Sequence, residues 1–183
     1  MVEPIRDDDA FIIVSARIVQ LNGEIDEFVS RRVIGGLYQL HGIDRDAAIT
    51  LLISSEGGLL LNAQAIADAI ADVQHRGTPI VGRVHGQAMS AAILPLLACS
   101  HRETSPDALL MVHGMTTDAG LNDLRNQEAE LAVNNRLTSR MAAGLALRTA
   151  RDIGYWLPLL HDRLPHYFFA EEALAEGLVD EVR

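Results

Sequence analysis

The feature that most constrains this chain is an alternation of short apolar runs with longer segments of helical period. The runs "FIIVSARIVQ" at 11–20, "AAITLLIS" at 47–54 and "PIVGRVHG" at 79–86 are rich in β-branched residues, as strands are. The segments after the first two runs have the apolar spacing of one helix face. This alternation predicts an α/β fold with a largely parallel sheet.

Local signals place the first helices. Asp26 is expected to cap a helix over 27–42, in which apolar residues recur at spacings of three and four. A second helix is predicted over 59–77, and it ends at Gly77, which stands in a C-cap position. Each predicted helix follows a predicted strand, as a sheet with crossover helices requires.

The second half of the chain continues the pattern. The segment "QAMSAAILPLLAC" at 87–99 predicts a helix, and "ALLMVHG" at 108–114 predicts another strand. The longest helical pattern covers 119–149, and the closing segment 169–182 predicts a helix, a glycine stop and a short strand.

Composition bounds the domain organisation. The chain has 183 residues, of which 49% are hydrophobic and only 4% aromatic, so the core is expected to consist of Leu, Ile, Val and Ala. We find no repeat, linker or break in composition. Residues 11–183 are therefore expected to form a single domain, preceded by a short N-terminal extension, residues 1–10.

Charge and cysteine content exclude several classes of function. A formal net charge of -10 argues against binding to nucleic acid or to anionic membranes. No apolar run approaches the roughly 20 residues that span a bilayer, and the acidic N-terminus is unlike a signal peptide. Cys99, the single cysteine, lies in an apolar run and is expected to be a buried, inert thiol. We therefore expect a soluble, cytoplasmic protein without a metal or a cofactor.

Three predicted strand ends carry residues that could take part in catalysis. In α/β sheets, reacting groups collect at such strand ends. "SSEGG" at 54–58 offers backbone N–H groups in a glycine turn, although such a pair often marks only a turn. Ser90 in "VHGQAMSAAI" is either a nucleophile or a helix cap in a tightly packed segment. His113 in "MVHG" is either a general base or a hydrogen-bonded structural residue.

Taken in order, these motifs resemble the proteolytic subunit of the Clp protease. That family has an "NSPGG" turn, a "GQAASMG" nucleophile segment, an "MIHQP" base segment and a closing "SAEEALEYGLID". This chain has "SSEGG", "GQAMSAA", "MVHGM" and "FAEEALAEGLVD". The resemblance runs from about residue 12 to the C-terminus. It implies a spiral of βαβ units with a protruding handle helix, which is also the fold of crotonase-type acyl-CoA enzymes.

The resemblance also implies a serine peptidase. Ser90 matches the nucleophile and His113 the general base, while Gly58 and Ala91 match the positions whose backbone N–H groups bind the oxyanion. The family's third triad member is an aspartate, but Pro165 occupies that slot here. Asp162, three residues earlier, is the candidate replacement, and a solvated loop carboxylate or a helix cap is the alternative for it. A catalytically impaired structural subunit is therefore the alternative function.

The family's assembly gives further expectations. The resemblance implies a homo-oligomer, with a heptameric ring, that degrades unfolded polypeptides delivered by an AAA+ unfoldase. A ClpP-like paralogue is a further candidate partner, because a second subunit type would complete an impaired site. The segment 114–123 lacks the family's glycine pattern and is shorter, and this puts the contact between two rings in doubt.

Overall fold

The computed structural model describes residues 12–114, 124–162 and 164–183. These residues form a sheet whose strands are β1 Ile12–Ile13, β2 Ile18–Ile25, β3 Ile49–Gly58, β4 Ile80–Met89, β5 His101–Thr104, β6 Leu109–Val112, β7 His166–Phe169 and β8 Glu181–Val182. The helices are α1 Glu27–Ile43, α2 Leu60–His75, α3 Ile93–Ala98, α4 Leu124–Arg148, α5 Ile153–His161 and α6 Ala170–Glu176. The expected extension 1–10 lies outside the described residues.

The strand order along the sheet is β1-β2-β3-β4-β5-β8, and β6 pairs with β4 and β7. The pairs β2–β3, β3–β4, β4–β5, β4–β6 and β5–β8 are parallel, while β1–β2 and β6–β7 are antiparallel. The prediction of an α/β fold with a largely parallel sheet is therefore confirmed.

Helices α1 and α2 form as the sequence predicts. The Asp26 carboxylate caps α1 by accepting from the Val29 N–H at 2.7 Å, and the buried face of α1 includes Val33 and Leu37. Helix α2 ends just before Gly77, whose φ of +107° is a conformation that favours glycine.

The first part of strand β4 pairs with one strand and its last part with another. This change of partner determines where the C-terminal end of β4 lies. Val81–Val84 pair with β5, whereas Gln87–Met89 pair with β6. Gly86, with φ +78°, lies between the two pairings. The predicted helix over 87–99 is therefore wrong at its start, because residues 87–89 are held in the sheet. After Met89 a short 3-10 turn, Ser90–Ala92, leads into α3.

The sequence does not predict two of the strands, β5 and β7, or the helix α5. Strand β5, "HRET", has no apolar residue to mark it, and α5 contains Pro158, which usually ends a helix. Strand β7 was not predicted either. Of the long helix predicted over 119–149, the structure describes α4, and residues 119–123 lie outside the part described. Near its start α4 exposes Leu131 and Val133, whereas Met141, Ala142 and Leu145 are buried further along.

The core is aliphatic, as composition predicts, and it includes fully buried Leu51, Ile53, Ile66 and Ile80. Cys99 is buried, and burial raises the pKa of its thiol to about 12. Within the described ranges no helix is both long and apolar enough to cross a membrane.

Arg102 connects the end of the sheet to the C-terminal segment. Its buried guanidinium pairs with the Asp180 carboxylate and donates to the carbonyl oxygens of Arg148 at 2.7 Å and Gly177 at 3.0 Å. One cation therefore joins β5, the end of α4 and the segment before β8. Burial acts to raise the pKa of Asp180, but hydrogen bonds from Arg102 outweigh it, and the pKa lies below its usual range.

We expect Arg102→Met to lower the free energy of unfolding by about 3 kcal/mol, because it removes a buried guanidinium from the Asp180 carboxylate and from two carbonyl groups. Urea unfolding measures this loss. Arg76→Met is the matched control, since Arg76 forms an exposed ion pair with Asp72 at the end of α2, and its loss should change the stability little. Equal losses in the two variants would contradict the connecting role of Arg102.

Candidate active site

Ser90 lies at the point where β4 ends. It is a non-glycine residue with a positive φ of +54°, and it begins the turn that leads into α3. Such a backbone conformation costs free energy and persists only where the surrounding structure enforces it. The small residues Ala91 and Ala92 that follow are buried, so the tight packing expected of this segment is present. Ser90 as a residue is half-buried.

His113 reaches Ser90 because of the register of two strands. Met89 in β4 is paired with Met111 in β6, so Ser90 follows directly after one partner and His113 lies two residues after the other. The Nε2 atom of His113 lies 2.7 Å from the Ser90 hydroxyl oxygen. Parallel strands thus bring together two side chains that are 23 residues apart in the chain.

The other ring nitrogen of His113 has a backbone partner. Nδ1 lies 2.6 Å from the carbonyl oxygen of Gly114, which can only accept, so Nδ1 carries the proton. In this tautomer Nε2 is unprotonated and accepts the hydrogen bond of the Ser90 hydroxyl. The pair therefore has the proton arrangement that a general base beside a serine needs.

The glycine turn of β3 lies against Ser90. Gly57 has φ +101°, and a Cβ atom built on it would lie 2.8 Å from the Cβ of Ser90 and 3.0 Å from the backbone nitrogen of Ala91. Gly58 has φ +143°, and its Cβ would lie 2.6 Å from the backbone nitrogen and oxygen of Ile25. Both positions therefore require glycine, for conformation and for space.

A cavity of about 430 Å³ opens beside these residues. Ser90, His113, Gly58 and Ala91 all line it. Its other walls are Leu59, Leu60, Leu61, Asn62, Asn134 and Leu137. The four residues that the sequence singled out thus share one cavity, and leucines make its walls largely apolar.

The structure does not bring Asp162 to His113. Both carboxylate oxygens of Asp162 lie 3.0 Å from Nε2 of His166, and one of them accepts the Leu164 N–H at 2.8 Å. These hydrogen bonds hold the pKa of the Asp162 carboxyl below its usual range, and the bond from His166 contributes most. The side chain is exposed, and Asp162 is the C-cap residue of α5.

Pro165, which the resemblance aligns with the family's aspartate, directly precedes β7. In the antiparallel pair of β6 and β7, Val112 is the partner of His166, so the next residues along that register are His113 and Pro165. The proline side chain can neither accept a hydrogen bond from His113 nor carry charge.

Two participants in this geometry were not identified from the sequence. The Gly114 carbonyl has no sequence signature, because every residue carries one. Ser55 is fully buried behind the glycine turn, and although "SSEGG" contains it, nothing in the motif distinguishes it from Ser54.

A second cluster of titratable side chains lies away from the cavity. Ligand atoms of His101, Glu103 and Glu181 lie within 4.8 Å of one another, as a metal site would require. However, the oxygens of Glu103 already accept from Arg83 at 2.6 Å and Arg183 at 3.0 Å. This cluster is therefore an ion-pair network across β4, β5 and β8.

Fold and site together define a class: an α/β protein with a serine and a histidine paired at the ends of neighbouring parallel strands. The family model described as Clp protease matches residues 6–183, so the chain belongs to the Clp protease family. The resemblance seen in the sequence is thereby confirmed.

Three relatives show how far the similarity extends. The chain is 33% identical over 172 residues to the ATP-dependent Clp protease proteolytic subunit 1 of Corynebacterium glutamicum, covering 91% of this chain and 78% of that protein. The subunit 1 of Corynebacterium diphtheriae is 30% identical over 169 residues, with the same coverages of 91% and 78%. The proteolytic subunit 2 of Thermobifida fusca is 27% identical over 186 residues, covering 98% and 87%.

Proposed function

We propose that this protein is a serine endopeptidase subunit of an ATP-dependent protease and hydrolyses unfolded polypeptides through an acyl-enzyme on Ser90. The observation that carries the proposal is the 2.7 Å contact between the Ser90 hydroxyl and Nε2 of His113 at the cavity. Membership of the Clp protease family supports the reaction class.

In the proposed reaction, the Ser90 oxygen attacks the carbonyl carbon of a peptide bond while His113 takes the hydroxyl proton. The protonated imidazole then gives this proton to the leaving amine, and an ester on Ser90 remains. Water, deprotonated by His113, attacks the ester, and the protonated imidazole then returns this proton to the Ser90 oxygen as the second product leaves. Each proton has a defined donor and acceptor, because Nε2 faces Ser90 and Nδ1 stays protonated.

The oxyanion of each tetrahedral intermediate is proposed to bind the backbone N–H groups of Gly58 and Ala91. Both residues line the cavity with Ser90. The Leu59 N–H donates to Ile25 in β2, and neighbouring amides along a strand point to opposite sides. This alternation supports the proposal that the Gly58 N–H points away from β2 and toward Ser90. Two preorganised donors of this kind are among the largest contributions to acyl transfer.

The Gly114 carbonyl is proposed to orient His113 in place of a carboxylate. A carbonyl fixes the tautomer, but it carries no net charge to stabilise the imidazolium that forms during attack. Loss of the aspartate from a serine triad lowers turnover by roughly 10⁴-fold, and part of that loss arises from the wrong tautomer. Because the tautomer is kept here, we expect a slow peptidase that still turns over.

The partners are proposed on the same basis. The relatives are named as subunits of an ATP-dependent protease, which supports an oligomer, with a heptameric ring as the arrangement proposed, and an AAA+ unfoldase that delivers substrate. Exposed Leu131 and Val133 on α4 support contact with a further subunit. A ClpP-like paralogue is proposed as a second possible ring member, and the cytoplasm as the location.

The second candidate function is a catalytically impaired structural subunit of a mixed ring. The specific observation in its favour is that Nδ1 of His113 contacts a backbone carbonyl rather than a carboxylate. Co-purification with a second, triad-complete subunit, together with a pure protein that cleaves no peptide, would favour this candidate.

A fluorophosphonate probe tests the proposal directly. We expect the full-length protein to become covalently labelled at Ser90, because the serine oxygen displaces fluoride at phosphorus. Ser90→Ala should abolish the labelling, and peptide mapping should place the adduct on the fragment that contains Ser90. A folded, assembled sample that takes up no probe over hours would overturn the assignment of Ser90 as nucleophile.

A further inference from the structure

Ser55 has a hydroxyl with two backbone partners directly behind the glycine turn. The side chain donates to the carbonyl oxygen of Gly23 at 2.6 Å and accepts the Gly57 N–H at 3.1 Å. Ser55 is fully buried. One hydroxyl thus uses its donor and an acceptor to join β2 to the turn of β3.

This link lies where the sheet ladder is interrupted on both sides of β3. The register between β2 and β3 shifts at Gly23, between Asn22 and Glu24. The register between β3 and β4 shifts between Ile53 and Ser55. Regular ladder bonds are disrupted at such bulges, so a side chain must supply part of the connection.

Gly57, which receives this hydrogen bond, is in van der Waals contact with the nucleophile segment. The close approach of Gly57 to Ser90 and Ala91 leaves no room even for a methyl group. Any displacement of Gly57 is therefore transmitted to the Ser90 side chain and to the backbone nitrogen of Ala91. It is also transmitted along the chain to Gly58.

We propose that Ser55 is a positioning residue for acyl transfer at Ser90, holding the glycine turn so that the nucleophile and the two oxyanion donors keep their mutual geometry. This inference rests on the proposed function and deepens it. Ser55 does not line the cavity, so it acts through Gly57. Its effect should fall on the transition state, where the oxyanion forms, rather than on substrate binding.

The test compares Ser55→Ala with Ser30→Ala in the full-length protein. Ser30 is also a buried serine whose hydroxyl donates to a backbone carbonyl, that of Glu27 at 3.1 Å, but it lies in α1 away from the cavity. We expect Ser55→Ala to lower kcat for a peptide substrate about 10- to 100-fold with little change in KM. This is a fraction of the roughly 10²- to 10³-fold cost of losing an oxyanion donor. Ser30→Ala should keep both constants.

Ser55→Thr separates positioning from stability. Threonine keeps the hydroxyl but adds a methyl group to a fully buried site, so it should lower Tm as much as alanine does, or more. If the hydroxyl positions the turn, Ser55→Thr should nevertheless be the more active of the two variants. Should Ser55→Ala fail to fold, Ser55→Cys replaces it, since a thiol keeps the size but hydrogen-bonds weakly.

The outcomes are distinguishable. If the unaltered protein neither hydrolyses peptide nor reacts with the fluorophosphonate probe, the proposed function fails and the role of Ser55 fails with it. If the unaltered protein is active but Ser55→Ala matches Ser30→Ala, only the positioning role is overturned. A variant series in which activity simply follows Tm would also overturn it.

Discussion

Pro165→Asp is expected to raise the rate of acylation of Ser90 by about 10²-fold. Residues 113 and 165 adjoin the paired residues Val112 and His166, so an aspartate at 165 is expected to offer a charged acceptor to Nδ1 of His113. A carboxylate stabilises the imidazolium that forms during attack, which the Gly114 carbonyl cannot do. We expect less than the full roughly 10⁴-fold effect of a triad aspartate, because position 165 is exposed and water screens the new charge.

The measurement is the second-order rate of fluorophosphonate labelling, together with kcat for a peptide. Pro165→Asn is the matched control, because it removes the proline and adds a side chain of the same shape without charge. An increase with Asp but not with Asn would assign the gain to charge. Equal rates in Asp, Asn and the unaltered protein would show that residue 165 does not reach His113.

Gly57→Ala is expected to lower reaction at Ser90 by at least about 10³-fold. Its Cβ would lie 2.7 Å from the Met89 carbonyl oxygen as well as close to Ser90 and Ala91, all on a backbone already at positive φ. The turn or the nucleophile segment must therefore move. Such movement would displace Ser90 together with Ala91, a proposed oxyanion donor, and losing one donor alone costs roughly 10²- to 10³-fold.

Gly35→Ala is the control for this substitution. Gly35 lies on the exposed face of α1, and a Cβ there would meet nothing within 4 Å. It should leave labelling unchanged and raise stability by about 0.5–1 kcal/mol, because alanine favours a helix interior. Comparable labelling of Gly57→Ala and Gly35→Ala would contradict the packing of the glycine turn against Ser90. Circular dichroism should show that both variants remain folded.

The sequence alone pointed to most residues of the candidate site, although each had an ordinary structural alternative and only the order of the motifs favoured a catalytic role. Gly57 and Gly58 marked a turn of unusual conformation, Ser90 stood among small residues, and His113 ended an apolar run. The order of these motifs predicted the family, which is confirmed for residues 6–183. Helix α1 was also predictable, since its cap Asp26 and its apolar spacing act within one segment.

Other features depended on partners that are distant in sequence. Residues 87–89 resemble the start of a helix, yet they form strand because β6 supplies their hydrogen bonds. Strand β5 carries polar residues whose ion-pair partners come from β4 and from the C-terminal segment. One such ion pair joins Arg102 to Asp180. A local pattern cannot reveal a pairing whose second member lies some eighty residues away.

The partner of His113 Nδ1 also depended on both sequence and tertiary structure. The sequence determined that Pro165 cannot act as the acid partner and that Asp162 is the nearest carboxylate along the chain. Only the tertiary structure decided that Asp162 pairs with His166 and that Gly114 meets Nδ1. The sequence gives the identity of each side chain directly. The direction in which a backbone carbonyl points is instead determined by the strand pairing and packing around it.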